Sequence, residues 1–189
     1  MKRHIFKDLD NALTWDIYPA LDKKESNNTQ AVNRINKYTE TLNTWTDKGI
    51  TDYIVDDELF GDFISSNIFE EYGDNVTCFA INSKNIPIGV AILSRSHMKG
   101  ECNFEYLVVD SKYRGKGLGT RMINSVTKNI QEFLGYYKEI HTINAPVNKS
   151  NNASLKALSN NGYVYRKSLS TNPNFAILTC KPKQNEFYK

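Results

Sequence analysis

Residues 114–119 read Arg-Gly-Lys-Gly-Leu-Gly, with three glycines in five positions and basic residues beside them. Before them runs a strand-like stretch, residues 102–110, rich in aromatic and β-branched side chains. After them, over 119–136, Met122, Ile123, Val126, Ile130, Phe133 and Leu134 recur at helical spacing, with Gly135 near the end. A strand that turns through glycines directly into an amphipathic helix belongs to chains whose sheet is covered by helices. The second half repeats this alternation. Two β-rich runs, 76–83 and 86–96, meet at a hairpin around Ser83-Lys84-Asn85. Beyond the glycines come a strand over 140–147, a helix over 151–161 closed by Gly162, and a final strand pair at 163–169 and 175–181. The expected order is β-β-β-α-β-α-β-β, an α/β (α+β) arrangement around a mixed sheet. The first 75 residues read as mostly helical: a short strand over 3–9, a helix over 11–21, and a longer helix over 29–48. In that longer helix Val32, Ile35, Tyr38, Leu42 and Trp45 face inward, and Gly49 closes it. A further helix would place Leu59, Phe63 and Phe69 inward.

Glycines at a strand-to-helix junction let backbone approach a ligand, and the helix end offers free N–H groups and positive potential to an anion. Two familiar phosphate loops do not fit. The chain has no GxxxxGK[ST] string, and Gly115-Lys116-Gly117-Leu118-Gly119 lacks the spacing of a GxGxxG dinucleotide fingerprint. What remains is Arg-x-x-Gly-x-Gly, with Arg114, Lys116 and Arg121 adding charge. A diphosphate fits that combination.

Charge distribution adds a second constraint. The net charge is only +3, yet residues 49–83 contain no Lys or Arg and eight acids, among them Asp56, Asp57, Glu58 and Asp62. The rest carries 24 basic against 13 acidic residues. A basic body with one acidic segment suits two oppositely charged ligands better than nucleic acid alone. Cys78, Cys102 and Cys180 are widely spaced and form no CxxC pair, and His4, His97 and His141 form no spaced set. The cysteines fit reduced thiols of a cytoplasmic protein, and no metal is expected. No apolar run reaches the ~20 residues of a membrane helix, and acids interrupt the basic N-terminus before any signal-peptide core develops.

The stretch from Tyr106 to Ile123 closely resembles the acetyl-CoA-binding motif of the GNAT superfamily of N-acetyltransferases, with Ser111 where proline is common. Downstream, Asn151, Ser154, Leu158, Gly162 and Tyr163 occupy the positions of that family's second motif, Asn-x-Ala-Ser followed by an apolar helix face and Gly-aromatic. The resemblance spans residues 76–181. It implies the GNAT fold, a mixed, mostly antiparallel sheet splayed after its fourth strand and flanked by helices. It also implies one domain over 1–189, with an acetyl-CoA-binding core at 76–181 and an acceptor side in 1–75. By the same resemblance, Leu107, Val108 and Val109 would pair with the pantetheine arm, and a backbone N–H near Val109 would polarise the thioester carbonyl. Arg114, Gly115, Lys116, Gly117, Leu118, Gly119 and Thr120 would wrap the diphosphate of acetyl-CoA. Asn151 and Ser154 would contact the far side of the cofactor, or cap the following helix.

Amine acetylation needs a base for the attacking nitrogen and a proton for the departing thiolate. Many members of the family place a glutamate on the strand before the glycine loop. Strand alternation puts Asn103, Glu105, Leu107 and Val109 on one face and Phe104, Tyr106 and Val108 on the other. The family's base would fall at Asn103, so Glu105, one pair closer to the thioester, is the candidate catalytic residue. A surface ion pair is its structural alternative. Relatives often carry a tyrosine acid where this chain has Leu158. Tyr163 and Tyr165 suit core packing better, so the acid stays unassigned. The sequence therefore points to an acyltransferase that moves acetyl from acetyl-CoA to a primary amine of a small molecule or peptide. The acidic segment favours a cationic acceptor, no nucleic-acid or membrane partner is expected, and a homodimer is left open. The alternative is an inactive acyl-CoA-binding sensor of the same fold.

Overall fold

A computed structural model describes residues 4–7, 13–18, 33, 37–38, 40–41, 75–130, 133, 140–169 and 172–182. Among the described residues eight strands form one sheet: β1 (His4–Lys7), β2 (Thr14–Tyr18), β3 (Asn75–Ile81), β4 (Pro87–Arg95), β5 (Glu101–Val109), β6 (Thr142–Asn148), β7 (Val164–Tyr165) and β8 (Phe175–Cys180). Their order is β1-β2-β3-β4-β5-β6-β8-β7. Only β5 and β6 run parallel; every other neighbouring pair is antiparallel. Helix α1 (Leu118–Lys128) links β5 to β6, and α2 (Asn152–Ser159) follows β6. The β-β-β-α-β-α-β-β order read over the second half is therefore the order observed.

The helix expected over 11–21 is a strand instead. In β2, Leu13, Trp15 and Ile17 alternate into the core, at a period of two rather than 3.6. Trp15 packs edge-on against Phe133 at 5.1 Å and donates from Nε1 to Ser125 Oγ at 3.0 Å. Asp16 points to the opposite face, where it is fully buried and accepts a hydrogen bond from the Tyr38 hydroxyl at 3.1 Å. The stretch Leu13-Thr14-Trp15-Asp16-Ile17 carries the apolar-polar alternation of a strand, and β2 lies between β1 and β3 with both Trp15 and Asp16 buried. The strand before the glycine loop is β5, and the sheet splays beyond it as expected.

Tyr38 belongs to the helix expected over 29–48. Asn33, Lys37, Tyr38, Glu40 and Thr41 are helical, with Tyr38 buried against Phe79 at 4.9 Å and the charged residues exposed. Val32, Ile35, Leu42, Trp45 and Gly49 lie outside the described residues, as does the whole acidic segment up to Asp74 with Leu59, Phe63 and Phe69. Tyr38 lies on one face of the sheet, against Asp16 and Phe79. α1 covers the other, burying Met122, Ile123 and Val126 over Cys78, Ala91, Leu93, Cys102 and Phe104. Burying each of these larger side chains contributes about 1.5–3 kcal/mol.

Two further boundaries differ from expectation. The regular part of α1 stops at Lys128, where Asn129 leaves helical backbone and turns its Nδ2 onto Ser125 O at 2.8 Å. Ile130 and Phe133 are helical and buried beyond that point, while Leu134 and Gly135 are outside the described residues. At the other end, β7 is only two residues long. Arg166 N still reaches Ile177 O at 2.8 Å, and the chain then coils into a short 3-10 turn over Lys167–Leu169.

Candidate active site

The site begins where β5 and β6 part. They pair in register only at Glu101–Asn103 with Thr142–Asn144. Beyond Asn103 the strands separate, and a cavity of about 880 Å³ opens between them. Pro146 lies in the diverging part of β6, where it has no N–H to give a ladder. The far half of β5 thus presents backbone groups to the gap. Asp110 N bonds Ile88 O on β4, so strand alternation turns the N–H of Val109 the other way, into the cavity. The carbonyl of Val109 points there too, and Arg114 Nε donates to it at 2.9 Å.

After β5 the chain makes a short 3-10 turn over Ser111–Tyr113, capped by Asp110, whose carboxylate accepts from Lys112 N at 3.1 Å. The glycine loop follows. Gly115 and Gly117 adopt φ of 72° and 76°, left-handed backbone that a side chain disfavours, and the space a Cβ would fill at either is open. Gly117 is the N-cap of α1 and brings no side-chain cap, so the first N–H groups of the helix have no side-chain partner at the cavity mouth. Successive N–H groups on such a turn, ahead of a helix N-terminus, form an anion cradle. The flanking cations are used locally: Arg114 ties down the end of β5, and Lys116 Nζ donates to Lys112 O at 3.2 Å beside the Tyr113 ring. On the opposite wall, Asn151 caps α2 by accepting from Ser154 N at 3.0 Å. Asn161 locks the two helices together by donating to Thr120 O and Ala157 O.

The cavity is lined by Glu105, Leu107, Val108, Val109, Arg114, Gly115, Gly117, Leu118, Gly119, Thr120, Asn151 and Ser154. Of the residues expected to bind the cofactor or to act as the base, Lys116 alone is not on its wall. Sequence reasoning passed over Tyr106, Asn148 and Ser150, which also line it. Pro146 inside a strand was the available signal for that side of the gap. Leu158 is buried on the wall. Tyr163 is buried beside Phe104, shares a 2.9 Å hydrogen bond with Thr127, and has its hydroxyl pushed far up by burial, so it packs the core.

The strand alternation expected along β5 is broken. Ile92 faces Tyr106 and Leu93 faces Phe104, so Glu105 is an extra residue with no partner in β4. This bulge reverses the faces beyond it. Ala91 and Leu93 share a face, hence so do their partners Leu107 and Phe104, on the α1 side together with Val109. Asn103 and Glu105 lie on the other face, both within hydrogen-bond reach of Ser94. The cavity therefore passes through the sheet, with the glycine loop and α1 on one face and Glu105 on the other. Among the described residues no group of three or more His, Cys, Asp or Glu could hold a metal ion, and His97 and His141 are exposed. No helix among the described residues is long and apolar enough to cross a membrane.

A sheet opened after a single short parallel pairing, with a glycine-rich loop and helix N-terminus at the opening, defines the class of acyltransferases that take an acyl group from an acyl-CoA. Within that class the chain belongs to the acetyltransferase (GNAT) domain family, whose model matches residues 14–164. No curated protein matches the chain in sequence. Solved structures share its fold at low identity. An acetyltransferase of the GNAT family from Staphylococcus aureus Mu50 is 17% identical, with 89% of this chain and 99% of that one covered at a TM-score of 0.56. A spermidine N-acetyltransferase SpeG chimera from Vibrio cholerae and hSSAT is 11% identical, with 89% and 95% covered at a TM-score of 0.60. An aminoglycoside acetyltransferase, AAC(6')-Ib, in complex with coenzyme A is 15% identical, with 81% and 94% covered at a TM-score of 0.60.

Proposed function

We propose that the protein is an N-acetyltransferase that moves acetyl from acetyl-CoA directly to a primary amine in a ternary complex. The observation that carries this reading is the cavity through the sheet, with an anion cradle on one face and a carboxylate on the other. The loop from Arg114 to Thr120 holds the diphosphate on its backbone N–H groups, with Lys116 contributing charge from outside the wall. The edge of β5 at Leu107, Val108 and Val109 pairs with the pantetheine amides, and Asn151 and Ser154 close the far side. The Val109 N–H donates to the thioester oxygen as negative charge develops there. Glu105 accepts the proton of the attacking amine as the C–N bond forms and the C–S bond breaks. No described side chain is assigned to protonate the thiolate. With Leu158 on the wall, the rate rests more on holding donor and acceptor together.

The acceptor in this proposal is a cationic amine, drawn by the acidic run within 49–83. Two of the similar structures are, by their descriptions, acetyltransferases of spermidine and of aminoglycosides, which agrees with that class. The test is thiol release from acetyl-CoA with spermidine, kanamycin, a lysine-bearing peptide and a neutral amine, at low and high salt. Amine-dependent release that favours the cations and weakens with salt is expected. A salt-insensitive preference for neutral or acidic amines contradicts the electrostatic part. A second reading, an acyl-CoA-binding sensor, is favoured by Leu158 alone; it requires acetyl-CoA binding with no turnover on any amine.

A further inference from the structure

Glu105 is the residue of β5 that the ladder leaves out, so pairing with β4 does not aim its side chain. It is also exposed, so packing does not aim it either. What holds it is a hydrogen bond from the neighbouring strand, in which Ser94 Oγ donates to Glu105 Oε1. An ionised carboxylate only accepts, so the single hydroxyl proton of Ser94 lies on that line. The lone pairs of the same oxygen then take an N–H from Asn103 Nδ2 at 3.4 Å. Ser94 and Asn103 face each other in the regular ladder just below the bulge. A relay thus runs from ordered strand backbone to the one residue that the bulge sets loose, and it leaves Oε2 for the proton of the amine.

We propose that Ser94, backed by Asn103, is a positioning residue for acyl transfer, fixing the Glu105 carboxylate toward the amine that attacks through the gap between β5 and β6. This rests on the reading of Glu105 as the base. It adds a requirement that the base alone does not make: a hydroxyl at position 94, and a loss on its removal that is felt only through Glu105.

The experiment uses the full chain, acetyl-CoA, and whichever of spermidine, kanamycin and the lysine peptide turns over fastest. Ser94→Ala is expected to lower kcat roughly tenfold while leaving the acetyl-CoA KM unchanged, since a small misplacement of a reacting group is costly in rate. Ser94→Thr, which keeps the hydroxyl, restores most of the rate. In the Glu105→Gln background, Ser94→Ala has no further effect, because the group it positions is gone. Full kcat in Ser94→Ala, or losses that multiply in the double variant, overturns the role of Ser94 and leaves the base standing. Full kcat in Glu105→Gln overturns the base itself, and the relay with it.

Discussion

Glu105 has the geometry of a residue kept for chemistry: unregistered in the ladder, exposed, and held by a hydrogen bond from Ser94 rather than by apolar packing. As the proposed base, its replacement by Gln is expected to lower kcat about a hundredfold, the low end of what a positioned general base contributes, with acetyl-CoA binding unchanged. Steady-state thiol release checks this. The cysteines supply an independent check on the core. Burial, aided by the carboxylates of Glu101 and Glu105, pushes the Cys102 thiol up to about 12, and burial raises Cys78 as well. Folded protein at pH 8 should therefore expose only the half-buried Cys180 to a thiol reagent, with the other two reacting on denaturation. The same shift sets the sign of a pH dependence. An unfolded thiol ionises near ~8.5, so the contribution of Cys102 is complete below that pH. It is lost as pH rises toward about 12. Chemical denaturation at a series of alkaline pH values reads this loss, which Cys102→Ala should reduce.

Among the elements, the glycine loop with α1 was readable from residues alone, because glycine spacing and a 3.6-residue apolar period are local signals. Its positive-φ backbone gives a test. Gly117→Ala should cost about 1 kcal/mol from left-handed strain and raise the KM for acetyl-CoA by moving the cradle. A thermal melt and a titration separate the two effects. Asn151→Ala removes the α2 cap and should cost about 1 kcal/mol, seen as a Tm lower by a few degrees. β2 and the β5 bulge were hidden for different reasons. In β2 the apolar-polar alternation Leu13-Thr14-Trp15-Asp16-Ile17 is present but only five residues long, too short for period alone to outweigh a helical reading of 11–21. The bulge leaves no mark in composition, and it inverts the face expected for Leu107 and Val109, both of which line the gap. Which residues surround the opening could be seen in the chain; which side of the sheet each one serves is a matter of register, set by tertiary pairing.

At the scale of the whole molecule, the proposed reaction uses two entrances to one gap. The proposed donor side is built from a loop, a helix end and a strand edge that all lie among the described residues. On the other face stand Glu105, Ser94 and Asn103. The family accounts for acyl transfer, and the direction of the charge asymmetry in the sequence suggests who receives the acyl group. Raising the ionic strength should increase the KM for a cationic acceptor severalfold while leaving that for acetyl-CoA comparatively steady, because screening at ~0.15 M already limits charge attraction to about 8 Å.

The central claim, that this gap transfers acetyl from acetyl-CoA to an amine, is tested most directly by following free coenzyme A and acetylated amine together when the purified chain is mixed with acetyl-CoA and spermidine, kanamycin or the lysine peptide. The account predicts that both products appear in equal amounts, depend on the amine, and nearly vanish in Glu105→Gln. Saturable binding of acetyl-CoA with no amine-dependent release of coenzyme A would contradict it.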